Sequence, residues 1–307
     1  MGRWYEIGRS SNGRTRPSGG RYLGSNPSLP AMNFSVFSKN GHILPTAEAH
    51  VSLLSIPYAY GFGVYETVRV KNDKIVFLSD HILRLFLSAN IIKLEHPFKE
   101  KDIKKFVVDF VEKVKTEANA GTYNLKILLI GAGKGEDATL YILGSSPLFL
   151  DKKFYRDGVE TITRVYERIY PQAKTLNMLG SYISYREARE KGCSDALLVN
   201  KEGNITEGTR TNFFTIKGNI IYSPLSKDIL LGVTRKHIFD IAQQNGFTVE
   251  ERNIPLASIS EYDGAFLSST STKIVPIKKV DDFEYDKISE PLRKLMFLFD
   301  DFLNSML

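Results

Sequence analysis

Glu66-Thr67-Val68-Arg69-Val70-Lys71-Asn72-Asp73-Lys74-Ile75-Val76-Phe77 is the stretch whose reading sets the fold class. Two runs rich in β-branched and apolar residues flank Asn72-Asp73, a pair that tolerates the left-handed backbone of a tight hairpin turn. The period then changes. Over residues 81–92, Ile82, Leu85, Phe86 and Ala89 recur at helical spacing, with Asp80 placed as the N-cap. Ile103, Phe106, Val107, Phe110, Val111 and Val114 form a second helical stripe. Residues 124–130 and 139–143 read as strands on either side of the glycine-rich stretch 131–135. Strands and helices thus interleave within about 120 residues, the size of one α+β unit.

A second mixed unit follows. Residues 159–165, 196–199, 212–216, 220–222 and 265–268 read as strands, with tight turns at Gly203 and Gly218. Residues 180–191 read as a helix stopped by Gly192, residues 234–244 as a helix capped by Thr234, and residues 288–302 as an amphipathic terminal helix. The expected organisation is a basic tail over 1–31, a small domain over 32–147, a linker over 148–156 and a larger domain over 157–307. No internal repeat is present.

The chain has 307 residues, 42% hydrophobic and 25% charged, the balance of an ordinary soluble globular protein. No apolar run reaches the length of a membrane helix. A single cysteine, Cys193, excludes an internal disulfide framework and any multi-thiolate metal site. With no basic-then-apolar signal pattern at the start, a reducing cytoplasm is the expectation. Of the net charge of +6, residues 1–31 contribute +4, from five arginines against Glu6. This tail is rich in Gly, Ser and Pro but lacks the dense Lys/Arg spacing of a nucleic-acid tract. It therefore reads as disordered, or as foreign to the working protein. A nucleic-acid-associated protein using that tail is the distant alternative.

Three patterns suggest a phosphate-bearing ligand. Residues 230–235, Leu-Leu-Gly-Val-Thr-Arg, run from a glycine turn into a helix, whose first N–H groups and dipole suit an anion or only water. Ser268-Ser269-Thr270-Ser271-Thr272 sets hydroxyls after an apolar strand, either for phosphate oxygens or for a self-satisfied turn. Arg84, between apolar helix positions, needs a partner if it points inward, and phosphate is a good one. His81 reads as a packing or capping residue. Composition alone singles out neither Glu207 nor Lys174: most glutamates and lysines are simply solvated.

Six stretches in order resemble the class IV aminotransferases, pyridoxal-phosphate enzymes of fold type IV. They are residues 60–67 (Tyr-Gly-Phe-Gly-Val-Tyr-Glu-Thr), 81–85, 174–177 (Lys-Thr-Leu-Asn), 206–212 (Thr-Glu-Gly-Thr-Arg-Thr-Asn), 232–235 and the Ser269-Thr270 turn. The resemblance implies a two-domain α+β fold, with a small α/β N-terminal domain and a larger mixed-strand C-terminal domain. It also implies pyridoxal 5'-phosphate as cofactor, no metal, amino-acid and 2-oxo-acid substrates, and a homodimer without membrane or nucleic-acid partner. Lys174 resembles the lysine that holds the cofactor aldehyde and shuttles the α-proton. Glu207 resembles the carboxylate that keeps the pyridine nitrogen protonated. Arg84, Val233, Thr234, Ser269 and Thr270 resemble the phosphate cup, and Tyr65 and Thr67 the substrate side.

Subfamily motifs divide. The Asn-Tyr pair that follows the lysine in branched-chain aminotransferases is missing, as is the Arg-x-His trap of D-amino-acid aminotransferases. Thr67 and the glycine-rich loop at 131–135 also fit aminodeoxychorismate lyase, which releases pyruvate. Transamination, with a branched-chain donor among the candidates, is the leading reading and lyase chemistry the nearest alternative. Lys126 and Lys134 are the candidates for the missing carboxylate-binding charge.

The tail cannot offset an ordering cost of about 1–2 kcal/mol per residue. A chain starting at Met32 is therefore expected to fold with an unchanged thermal midpoint. A shortened chain that is insoluble would show the tail to be integral.

Overall fold

The computed structural model describes residues 34–52, 54–117, 121–145 and 150–306. The expectation for the tail, and part of that for the linker, fall outside these residues.

The first sheet contains β1 (Val36–Lys39), β2 (His42–Pro45), β3 (Gly63–Lys71), β4 (Lys74–Ile75), β5 (Thr122–Ile130) and β6 (Thr139–Ser145). Its order is β2-β1-β6-β5-β3-β4, and every pair is antiparallel. Asn72 and Asp73 both take positive φ, 51° and 62°, in the β3–β4 hairpin. Alternation along β3 and β5 divides the sheet's chemistry. Val64, Val68, Leu125 and Ile127 share a core with α2 (Leu78–Ile91) and α3 (Glu100–Val114), reached after the short α1 (Ile56–Ala59). Tyr65, Thr67 and Arg69, with Lys126 opposite Thr67, belong to the other face.

The second sheet follows α4 (Lys152–Asp157) and comprises β7 (Val159–Val165), β8 (Asp195–Val199), β9 (Ile205–Gly208), β10 (Asn212–Lys217), β11 (Ile220–Ser223), β12 (Thr248–Glu251), β13 (Gly264–Ser269), β14 (Lys273–Val280) and β15 (Phe283–Glu284). Helices α5 (Leu179–Glu190), α6 (Val233–Gln244) and α7 (Glu290–Ser305) complete the unit. The path β10-β13-β14-β7-β8-β9 returns to β10 where Asn212 pairs with Glu207, so these strands close into a barrel. Phe213, Leu197, Leu267 and Val275 fill one core. Phe214, Ile216 and Phe266 pack on the opposite side with Ile238, Leu292 and Phe299 of α6 and α7. Both faces are covered, which is why β8 and β10 read as continuous apolar runs instead of alternating. Each such side chain contributes about 1.5–3 kcal/mol on full burial.

Three local expectations are corrected. Strand β4 ends at Ile75, because Phe77 turns to φ 54° and becomes the N-cap of α2. Asp80 therefore lies inside the first turn, where it pairs with Lys236 at 2.7 Å and His237 at 2.8 Å and ties α2 to α6. Thr234 is likewise a first-turn residue, since Gly232 is the N-cap of α6. Residues 152–156 of the expected linker lie within α4, capped by the Asp151 side chain on the Lys153 N–H.

Gly158 joins α4 to β7 at φ 88°, and a Cβ there would sit 2.9 Å from the Lys278 backbone nitrogen. Gly158→Ala is expected to cost about 1–3 kcal/mol, measured as a lower urea midpoint. An unchanged midpoint would contradict this placement.

Candidate functional site

Strand β4 pairs only with Val70 and Lys71, so the start of β3 has a free edge. Residues 174–176 take that edge. The Tyr65 N–H donates to the Lys174 carbonyl and the Leu176 N–H to the Gly63 carbonyl, both at 2.9 Å, around a Val64–Thr175 bridge. The Lys174 N–H donates to Ser88 Oγ of α2 at 3.0 Å. Fixed from both sides, Lys174 holds its Nζ 4.6 Å from the Tyr65 ring centroid.

Glu207 stands at the barrel seam, buried, with its carboxylate facing the same cleft. Arg168 Nε donates to Glu207 Oε1 at 2.6 Å, and the Leu230 N–H donates to Oε2 at 3.3 Å. The same guanidinium donates to the carbonyls of Ala173 (3.1 Å) and Pro171. Arg168 thus holds both the carboxylate and the approach to Lys174. Sequence reading missed it, although a buried glutamate at a strand end requires a cation.

The third element is built for an anion. No side chain caps α6, so its first N–H groups, including those of Val233 and Thr234, remain available. A Cβ at Gly232 would collide with Asn212 Oδ1, while Asn212 Nδ2 donates to the Leu230 carbonyl at 2.7 Å. Thr270 comes from the β13–β14 turn, where Ser269 Oγ and Thr272 Oγ1 are 2.8 Å apart. Arg84 Nη1 reaches the Leu231 carbonyl at 3.2 Å. Arg84, Val233, Thr234, Ser269 and Thr270 line one cleft with Lys174, Glu207 and Tyr65. Buried Ser268 Oγ has no hydrogen-bond partner among the described residues. Amine, carboxylate and uncapped helix end fit an aldehyde-bearing heteroaromatic phosphate. Thr67 lies on the Tyr65 side of β3 but does not line the cleft.

Arg84 also has a partner within the protein, Glu66. Arg84 Nε and Nη2 donate to Glu66 Oε1 and Oε2 at 2.7 and 2.6 Å, and His81 Nδ1 lies 2.8 Å from Oε2. Burial raises the Glu66 pKa, but Arg84 and then His81 outweigh it and bring the carboxyl down to about 2. Burial pushes the His81 pKa down, leaving a neutral ring that donates from Nδ1. The bidentate pair aims the guanidinium toward the cleft. Burial also raises the Tyr65 phenol, yet Lys174, Lys126, Arg210 and Arg168 together hold it below its ordinary value.

Residues 63–280 match the family model of amino-transferase class IV. D-alanine aminotransferase of Bacillus licheniformis is 29% identical over 252 residues, 79% of this chain and 87% of that protein. Branched-chain amino acid aminotransferase of Escherichia coli superposes with a TM-score of 0.78 at 21% identity, covering 87% of this chain and 94% of that one. The PLP-bound form of a hypothetical aminotransferase from Mycobacterium tuberculosis gives 0.79 at 21% identity, covering 88% and 99%.

Glu66→Gln would leave Arg84 buried beside a neutral amide, at an expected cost of about 3–5 kcal/mol. Because the Glu66 pKa is depressed, its stabilisation is complete above the ordinary 4.5 and drains away as pH falls through about 2. The variant should therefore lose less stability than wild type between about pH 6 and about pH 3. Urea midpoints at the two pH values check both effects, and parallel losses would contradict the assignment.

Proposed function

The chain belongs to the class IV aminotransferase family, and on that premise we propose that this cleft carries out pyridoxal-phosphate-dependent transamination between an amino acid and a 2-oxo acid. The observation that carries the reading is the convergence of the Lys174 amine, the buried Glu207 carboxylate and the uncapped end of α6 on one cleft. When bound, pyridoxal phosphate supplies an aldehyde for amine exchange and a ring that takes up the electron pair left at Cα.

The chain's own residues supply the rest. Arg84, the Val233 and Thr234 N–H groups, and the hydroxyls of Ser269 and Thr270 hold the phosphate. Lys174 Nζ anchors the aldehyde and, once displaced by the substrate amine, moves the Cα proton. Glu207, positioned by Arg168, holds a proton on the ring nitrogen, so that negative charge developing in the ring is stabilised. Tyr65 forms the wall on the substrate side.

A homodimer belongs to the same reading. Leu54, Ile56 and Tyr60 are 91%, 63% and 81% exposed. They line a separate open cleft, which a second copy would cover. A sedimentation mass near twice 34.7 kDa checks it. Cytoplasmic residence is proposed with it.

Purified holoprotein should show a cofactor absorbance band that amino donors convert, with release of the matching 2-oxo acid. Glu207→Ala should keep the phosphate contacts and the cofactor but lose turnover by on the order of 3 kcal/mol, about a hundredfold. Near-normal turnover would reduce Glu207 to a strand-end glutamate.

A further inference from the structure

Helix α2 carries a polar stripe with a period of four. Asp80, Arg84 and Ser88 follow one another at that spacing, on one side of the helix. Two of the three already serve the cleft. Arg84 lines it, with Nη1 on the Leu231 carbonyl, and Ser88 Oγ accepts the Lys174 N–H. Asp80 is not among the residues that line the cleft. Its carboxylate reaches across to α6 instead, where Lys236 Nζ is 2.7 Å from Oδ1 and His237 Nε2 is 2.8 Å from Oδ2.

The surroundings hold that contact in one geometry. The His237 ring stacks on Phe77, with centroids 3.7 Å apart and planes 15° apart, and Phe302 of α7 stacks 6.1 Å from Phe77. Val76 is buried in one core with Ile238 and Ile241 of α6. The start of α2 is thus seated on the helices of the second unit. Burial raises the Asp80 pKa, but the hydrogen bonds from Lys236 and His237 outweigh it and hold the carboxyl below its ordinary value. The Lys236 N–H closes the first turn of α6 on the Gly232 carbonyl at 3.0 Å. Asp80 therefore grips α6 at the end of its first turn, and lies one turn before Arg84 on α2. The phosphate cup is divided between these helices, with Arg84 on α2 and the Val233 and Thr234 N–H groups on α6. A clamp within about one helical turn, 5.4 Å, of both halves restricts their sliding against each other. An anion that needs both halves at once then loses less to ordering them.

We propose that Asp80 is a positioning residue of the phosphate cup: through Lys236 and His237 it holds α2 and α6 in the register at which Arg84 and the first N–H groups of α6 meet one phosphate. The proposal rests on the transamination reading, which places the cofactor phosphate there. Lys174 has its own supports in the β3 edge and Ser88, so the clamp acts on cofactor affinity more than on the chemical step.

The test compares the full-length protein with Asp80→Asn, Asp80→Glu, Lys236→Met and His237→Phe, the last keeping a ring against Phe77 without the hydrogen bond. Pyridoxal 5'-phosphate and inorganic phosphate are titrated separately into the cofactor-free chain by fluorescence. Urea midpoints and kcat at saturating cofactor are measured alongside. Asp80→Asn should weaken both affinities about fivefold or more, with a smaller change in kcat. Lys236→Met and His237→Phe should each weaken them less, and adding Lys236→Met to Asp80→Asn should weaken them by less than the two single effects combined. Asp80→Glu should recover part of the loss. A lower urea midpoint with both affinities unchanged would reduce the clamp to a stability device and overturn the proposal. If Asp80→Asn does not fold, the exposed Lys236 decides with His237: unchanged affinities in both of those variants overturn it. Wild-type protein that binds neither phosphate nor pyridoxal 5'-phosphate would instead overturn the transamination reading, and this proposal with it.

Discussion

Two backbone hydrogen bonds decide where the chemistry sits. Residues 174–176 complete the unpaired edge of β3, and through them a segment that follows a barrel strand is fixed to the other sheet. A backbone ladder allows little slack, and its alternation directs the Lys174 side chain toward Tyr65 rather than the first core. Arg168 secures the same segment from the barrel side through the Ala173 and Pro171 carbonyls. Amine and carboxylate are thus set by one connected frame, of the kind that holds catalytic groups within fractions of an ångström.

The cleft's electrostatics follow from what the fold buries. A carboxylate on the core face of β3 would be costly alone, so Glu66 binds Arg84 through two hydrogen bonds and His81 through a third. That pairing leaves Arg84 able to face the cleft with its position fixed. At the opposite wall Arg168 does the same for Glu207. Two cations are spent on the protein's own carboxylates. The remaining positive charge, with the N-terminus of α6, makes the cleft a receptor for anionic groups.

Much of the fold was legible because its signals are local. The β3–β4 hairpin shows in its alternation and in Asn72-Asp73, and α3 in its apolar stripe. The resemblance brought Lys174, Glu207, Arg84 and the phosphate-cup residues onto the page, and the structure gathers them in one cleft. What stayed hidden depends on partners distant in sequence. Nothing near Lys174 announces a ladder to β3, nothing near Arg168 announces Glu207, and Asp80 looked like a cap because Lys236 and His237 lie over 150 positions away. Glu66 carried a signal that went unread: a carboxylate at an inward position of an alternating strand must have a buried partner. Thr67 shares a strand face with Tyr65 but is not among the residues that line the cleft.

The central claim is that Lys174 is the amine to which the cofactor attaches. Borohydride reduction of the holoprotein, followed by proteolysis and peptide mass mapping, tests it directly. The account predicts one phosphopyridoxyl-modified peptide, with the added mass on Lys174. Modification on Lys126 or another lysine, or none at all in protein carrying the cofactor, would contradict it.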